Sequence, residues 1–281
     1  MVPDKDLDFT EGSVVRFYYD DVKVFKGYVF SKTRNSDNII SVVAYDQLRY
    51  LKNRDTINYI NMSLSEVIKK IANNFSLDIG CITESNYKIT RIERSATLFN
   101  IIVTAIELTF ENTKEEYIFY DDFGKLTLEN IKKLKTNVII SENSAEDFTY
   151  STSIDIDTYN KIVLLPYEIN KEDNPICPTF EDAENINKWG VLQLVESVEK
   201  EENQYEKLKS LQKIYNRKSR DLSIQNNIGN INVRGGSLVY VKLNLGEIKF
   251  EDYLVVQKCT HKFCEGEHFM DLTLKGGELF V

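Results

Sequence analysis

Histidine is nearly missing from this sequence. Only two occur in 281 residues, beside four cysteines, four prolines, three methionines and one tryptophan. Cys81, Cys177, Cys259 and Cys264 are too few for a disulfide scaffold of this length, so reduced thiols made in a cytoplasm are expected. Long apolar runs are missing as well. The longest, Ile101 to Phe110, is broken by Glu107 and falls far short of the roughly 18–20 residues that a membrane span requires. The start, Met1-Val2-Pro3-Asp4-Lys5-Asp6, lacks the apolar core of a signal peptide, so no export is expected. Nor is there an excess of positive charge. A formal net charge of −9 argues against duplex DNA or an anionic membrane as the main partner, since either calls for a clustered cationic surface.

Catalytic signatures are absent too. There is no G-x-S-x-G nucleophile elbow, no G-x-x-x-x-G-K-S/T phosphate loop and no H-E-x-x-H zinc helix. Ser210 and Lys213 form an S-x-x-K pair, but on the polar side of an expected helix and without its companion motifs, which reads as solvated surface. Gly235-Gly236 opens no helix and is a bend rather than a cofactor loop. Asp121-Asp122, and Glu265 with Glu267, fall in expected hairpin turns, where turn geometry explains them. Cys259, His261, Cys264 and His268 are four soft-metal ligand types within one short stretch. The surrounding alternation, however, reads as two strands joined by Cys264-Glu265-Gly266-Glu267, which scatters these side chains over both faces of a hairpin. No catalytic residue, cofactor site or metal site is expected, and the chain reads as non-enzymatic.

What is plentiful is aromatic. Sixteen tyrosines and fifteen phenylalanines suit pleated sheet faces and interface cores. Residues 1–52 read as a β-meander: Val14 to Tyr19, a turn at Asp20-Asp21, Val22 to Phe30, then Asn38 to Tyr45, after which Asp46 caps a short helical turn. Residues 53–145 read as a mixed module. Ser63 with Glu66 is a capping box, and Leu64, Val67, Ile68, Ile71, Ala72 and Phe75 form one helical stripe. A second helix begins after Ser95 with Leu98, Ile101, Ile102, Ala105 and Ile106 inward, followed by a hairpin around Asp121-Asp122-Phe123-Gly124. In 146–190, Lys161 to Tyr167 is a strand and Asn170 to Glu184 a surface loop. Residues 191–281 form a last module, whose first strand opens at Trp189 to Gln193. In it a helix, Glu201 to Arg217, buries Tyr205, Leu208, Leu211, Ile214 and Tyr215. Asp221 to Gln225, Ile231 to Arg234, Ser237 to Leu243, Tyr253 to Phe263 and His268 to Lys275 then supply strands for a small closed barrel. The expected class is α+β, mainly β: two barrel modules with helix-containing insertions.

Several runs carry a resemblance. Val2-Pro3-Asp4 through Gly12, Phe25-Lys26-Gly27-Tyr28-Val29-Phe30, Ala44-Tyr45-Asp46-Gln47-Leu48-Arg49-Tyr50, Ser65 to Ala72, Tyr215-Asn216-Arg217-Lys218, Asn232 to Ser237 and His268 to Gly277 occur in that order. Together they resemble the XkdQ-like baseplate hub proteins of PBSX-type prophages, over essentially the whole chain. The resemblance implies two tube-type β-barrels per subunit and a homotrimeric ring between tail tube and central spike, in a contractile phage tail or a tail-like bacteriocin. Partners would be the tail tube protein, the spike and other baseplate proteins, with assembly in the host bacterial cytoplasm and neither membrane nor specific nucleic-acid binding. An acidic lumen would keep passing DNA from adhering. Members of that family carry further strands before Val2-Pro3, so an incomplete first barrel is expected here. A second reading is a peptidoglycan-binding module, because residues 57–80, ending Ile71-Ala72-Asn73-Asn74-Phe75, resemble a LysM pattern. The helix stripe is adequate as a packing face alone, and a lytic enzyme is the least favoured reading.

Overall fold

Strands form where β-branched and aromatic residues alternate, and helices where apolar residues recur every three or four positions. The computed structural model, which describes residues 9–142, 144, 146–166, 177–198, 203–244 and 249–275, follows both periods. Seventeen strands and four α-helices among the described residues make the chain mainly β. It divides into two compact units, Met1–Lys135 and Thr136–Val281. No helix among the described residues is long and apolar enough to cross a membrane.

In the first unit, β1 (Val14–Tyr19), β2 (Val22–Arg34) and β3 (Ile40–Tyr45) form the expected antiparallel meander. Asp20 and Asp21 both take positive φ, the tight turn whose twist matches that of the strands. Asp46 Oδ1 accepts the Leu48 amide at 2.9 Å and opens a 3-10 turn at Gln47–Lys52. β4 (Arg54–Ser63) leads directly into α1 (Leu64–Asn74). The capping box closes as expected: Ser63 Oγ accepts the Glu66 amide, and the Glu66 carboxylate accepts the Ser63 amide at 2.6 Å. β5 (Ile79–Ile82) and β6 (Lys88–Thr97) follow, and Thr97 caps α2 (Leu98–Thr113). β7 (Tyr117–Asp121) and β8 (Leu126–Asn130) form the expected hairpin. β4 pairs with β6, while β8 lies between β5, to which it is parallel, and β7. The two helix stripes meet Ile57, Tyr59, Ile89 and Leu128 in one core. Each such side chain contributes about 1.5–3 kcal/mol by leaving water.

The second unit opens with β9 (Lys135–Ser141), β10 (Asp147–Ser153), β11 (Lys161–Pro166) and β12 (Thr179–Glu181). Then come α3 (Ala183–Trp189), β13 (Gln193–Val198), α4 (Gln204–Tyr215), β14 (Ser219–Ile228), β15 (Leu238–Asn244), β16 (Lys249–Cys264) and β17 (Glu267–Lys275). A small sheet runs β12-β11-β13, and a larger one β10-β14-β17-β16-β15-β9. In the larger sheet the two edge strands are consecutive in sequence, with only residues 142–146 between them. The edges of a flat six-stranded sheet lie about 24 Å apart, beyond what so short a link spans, so the sheet curls. Its inner face buries Ile140, Leu222, Ile224, Val239, Val241, Leu254, Val256, Met270, Leu272 and Leu274 against one another and against Val233 from the segment between β14 and β15. Among the described residues no ladder joins β9 to β10, so where a closed barrel was expected the sheet is curled and open.

Four local expectations are corrected here. Thr179–Glu181 is a strand and α3 begins at Ala183, because Asp182 caps it by accepting the Asn185 amide; residues 170–176 of the expected loop lie outside the described residues. Trp189 closes α3 instead of opening a strand, as Gly190, at positive φ, ends the helix. No residue of α4 is fully buried and Tyr205 is 71% exposed, so its apolar stripe is only half covered; Glu201 and Glu202 lie outside the described residues. Ile231–Arg234 is a turn, since Asn230 accepts the amides of Asn232 and Val233 and bends the chain.

Candidate functional site

The end of the β2–β3 hairpin is built differently from the rest of the first unit. Every residue from Ser31 to Val43 is exposed, including Ile39 (51%), Ile40 (36%), Val42 (41%) and Val43 (44%). Successive side chains of a strand point to opposite faces, so Val42 and Val43 expose apolar surface on both sides. β3 is also a sheet edge. The tip is a well-formed turn: Asn35 Oδ1 accepts the amides of Asp37 and Ile39, and Asn38 takes φ 60°. The base is pinned. Phe30 packs edge-on against Tyr45 at 5.2 Å, meets Tyr50 at 5.9 Å, and lies under the Arg49 guanidinium at 5.3 Å. Gly27 permits this closure, because a Cβ there would meet the Tyr45 carbonyl. Lys32 reaches back to the Phe9 carbonyl at 2.9 Å and lies over its ring. The result is an ordered arm with an anchored base, exposed in this chain on both faces and along one edge.

At the base of the arm sits an acidic pair that sequence reading missed. Gln47, 7% exposed, donates to the Asp78 and Gly124 carbonyls and accepts the Asp78 amide at 2.7 Å, tying the 3-10 turn to the β7–β8 turn. Burial, and the Asp121 carboxylate second, push Asp46 up to about 6, against the Leu48 amide. Burial also raises Asp121, although the Gly124 amide donates to it. Asp46 and Asp121 are too distant in sequence for any local pattern to have linked them.

In the second unit the four soft ligands separate differently from expectation. Cys259, His261 and His268 lie on one face of the β16–β17 hairpin, and the exposed Cys264 on the other. Three of the four are thus neighbours and not scattered. The Val233 carbonyl, an acceptor only, lies 2.8 Å from His261 Nε2, so that nitrogen carries the hydrogen and donates. In the neutral ring Nδ1 is then the acceptor, and His268 Nε2 donates to it at 2.9 Å. Cys259 Sγ is 3.2 Å from Nε2, at the opposite edge of the His261 ring from His268. Partners at opposite edges of one imidazole do not converge on a point. Among the described residues no three His, Cys, Asp or Glu side chains are arranged to hold a metal ion. Burial pushes the Cys259 thiol up to about 12, with Asp271 adding to it, which disfavours a thiolate.

The remaining candidates are apart. Ser210 is half-buried and Lys213 exposed on α4. Glu265 and Gly266 form the two-residue turn of the β16–β17 hairpin, both at positive φ, and Gly236 turns the chain so that its amide reaches the Val256 carbonyl at 2.7 Å.

A family model described as YQBQ-like matches residues 1–275. Two proteins of Bacillus subtilis (strain 168) are similar. The phage-like element PBSX protein XkdQ is 32% identical over 204 residues, covering 69% of this chain and 60% of that protein. YqbQ is 30% identical over 277 residues, covering 94% of this chain and 81% of that protein. Among solved structures, the 43 kDa tail protein of prophage MuSo2 from Shewanella oneidensis matches with a TM-score of 0.74 at 12% identity, over 99% of this chain and 88% of its own. A tail protein from Neisseria meningitidis MC58 matches with a TM-score of 0.70 at 12% identity, over 96% and 85%. At such identity the likeness is one of fold.

Proposed function

The chain belongs to the YQBQ-like family, as its resemblance to XkdQ-like proteins implied, and from that membership we propose that it is a structural subunit of a phage or phage-like tail. Its place there is the baseplate hub, where three copies form a ring joining the tail tube to the central spike. The observation that carries this reading is the β2–β3 arm. An ordered arm whose edge strand exposes Ile40, Val42 and Val43 on both faces, with Ile39 exposed just before it, is an aggregation hazard in a solitary protein and an asset in an assembling one. In the ring, the arm lies against a neighbouring copy and contributes main-chain hydrogen bonds and apolar burial to the contact. The β1–β3 meander and the curled sheet, four of whose six strands lie within 191–281 and whose edge strands β9 and β10 precede it, act as tube-type barrel modules completed on assembly, and the rest of 53–145 and 146–190 as insertions between them. The subunit acts without catalysis, assembles in the bacterial cytoplasm, and presents an acidic lumen to passing DNA. Names of relatives and fold neighbours that refer to phage-like elements and tails support the class of machine. The test is native mass measurement of the full chain over a range of concentrations. A trimer is the expected result, and a chain that stays monomeric throughout overturns the ring.

A further inference from the structure

Both histidines of this chain meet in one place that the tail reading does not use. They continue the buried stripe of the curled sheet toward its hairpin end: His261 pairs in register with the fully buried Met270, and His268 with Phe263. The segment 229–237 between β14 and β15 lies against them. Val233 of that segment is fully buried in the sheet core, and its carbonyl takes the His261 hydrogen bond. The Gly229 amide donates to the His268 carbonyl at 2.8 Å, and a Cβ at Gly229 would collide with the His268 ring. Phe263 stacks on His268 with centroids 4.1 Å apart. The hydrogen-bond order is therefore His268 Nε2–H to His261 Nδ1, then His261 Nε2–H to the Val233 carbonyl.

We propose that the His261–His268 pair is a proton-operated latch that fastens segment 229–237 over the end of the curled sheet and releases it in acid. The chain of bonds holds while both rings are neutral. One added proton is accommodated: on His268 Nδ1 it leaves the bond order unchanged, and on His261 Nδ1 it requires His268 to shift its own hydrogen to Nδ1, so that Nε2 accepts from His261. A second proton sets two N–H groups face to face across the 2.9 Å contact and places two cations in a half-buried site. Among the described residues, the charged and titratable neighbours do little to relieve this. Arg234, on the segment itself, opposes a cation on His261. Cys259, on β16, is a neutral thiol. Asp271, on β17, lies on the other face of the sheet and pairs with Lys262 at 2.6 Å. Glu265, in the turn beyond Cys264, and Glu267, at the start of β17, are exposed. From β14, the neutral Asn227 occupies the position beside Met270. Release withdraws Val233 from the core, with Gly229, Gly235 and Gly236 as the pivots of the moving segment.

The latch is independent of the hub reading and is tested on the isolated full chain. Amide hydrogen exchange and imidazole proton resonances would be followed from about pH 8 to about pH 4, below the ordinary histidine range, because burial holds both rings down. Exchange within 229–237, corrected for its intrinsic pH dependence, is expected to accelerate at least about tenfold in step with the second of the two imidazole titrations, while α1 stays protected. His268→Gln keeps a donor toward His261 Nδ1 but removes one titrating ring, so it should hold the segment closed to lower pH. Unchanged corrected exchange in 229–237 while both rings titrate overturns the latch, as does a His268→Gln chain that opens at the same pH as the parent.

Discussion

Asp46 does two opposing things. Its carboxylate caps the 3-10 turn, yet it is held beside Asp121 in a place where charge is disfavoured, and it titrates at about 6 in the folded chain. The folded pKa lies above the ordinary value of 3.8, so the folded state binds more protons than the unfolded one between these limits. Stability should consequently rise as pH falls from 7 toward about 4, then gain nothing further from this group. Asp46→Asn keeps the capping oxygen and removes the charge. It should stabilise the first unit at pH 7 by on the order of 1–2 kcal/mol after allowance for partial exposure, with no such gain at pH 4. Urea titration with α1 amide exchange as the readout would check both halves. Gly27 supplies a second residue-scale prediction. Gly27→Ala drives a methyl group into the Tyr45 carbonyl, a rigid backbone neighbour, and should cost about 1–3 kcal/mol in the same assay.

At the scale of elements, the cleanest case is the junction of β4 and α1, where one residue ends the strand and caps the helix. Ser63→Ala removes the acceptor for the Glu66 amide and the contact with Ser65 Oγ at 2.9 Å. About 1 kcal/mol of stability should be lost, with amide protection falling first in the opening turn of α1. Glu66 is also bound by Lys88 at 2.7 Å and held near 2, so the box should survive mild acid unchanged. The arm is the contrasting element. Its periodicity is that of a buried strand, since Ile39-Ile40-Ser41-Val42-Val43 is apolar on both faces, and such a run in a monomer belongs inside a sheet. Finding it exposed is informative for that reason: the sequence specifies burial that one chain does not provide.

For the whole molecule, this makes self-association the property to measure. Ile40→Asp with Val42→Asp charges both of these exposed positions without touching a core contact. The double variant should melt within about 0.5 kcal/mol of the parent, as substitutions at exposed sites usually do, yet fail to assemble. A variant that still forms the parent oligomer would show that the arm lies outside the contact.

What the sequence determined by itself was whatever depends on near neighbours. The meander turn at Asp20-Asp21, the hairpin turn at Glu265-Gly266, the Ser63–Glu66 box, both stripes of the first unit and the Asp46 cap were legible because each is decided within a few residues. The order of motifs also identified the family. The errors share a cause. The stripe of α4 was overrated because helical periodicity marks an apolar face but not how completely something covers it. The strand expected at Ile231–Arg234 gave way to a turn set by Asn230. Only the tertiary structure joined Asp46 to Asp121, aligned His261 with His268 and Val233, and left the arm bare. Burial, pKa and hydrogen-bond order at those places are set by groups tens of residues away, and no local pattern encodes which strands become neighbours.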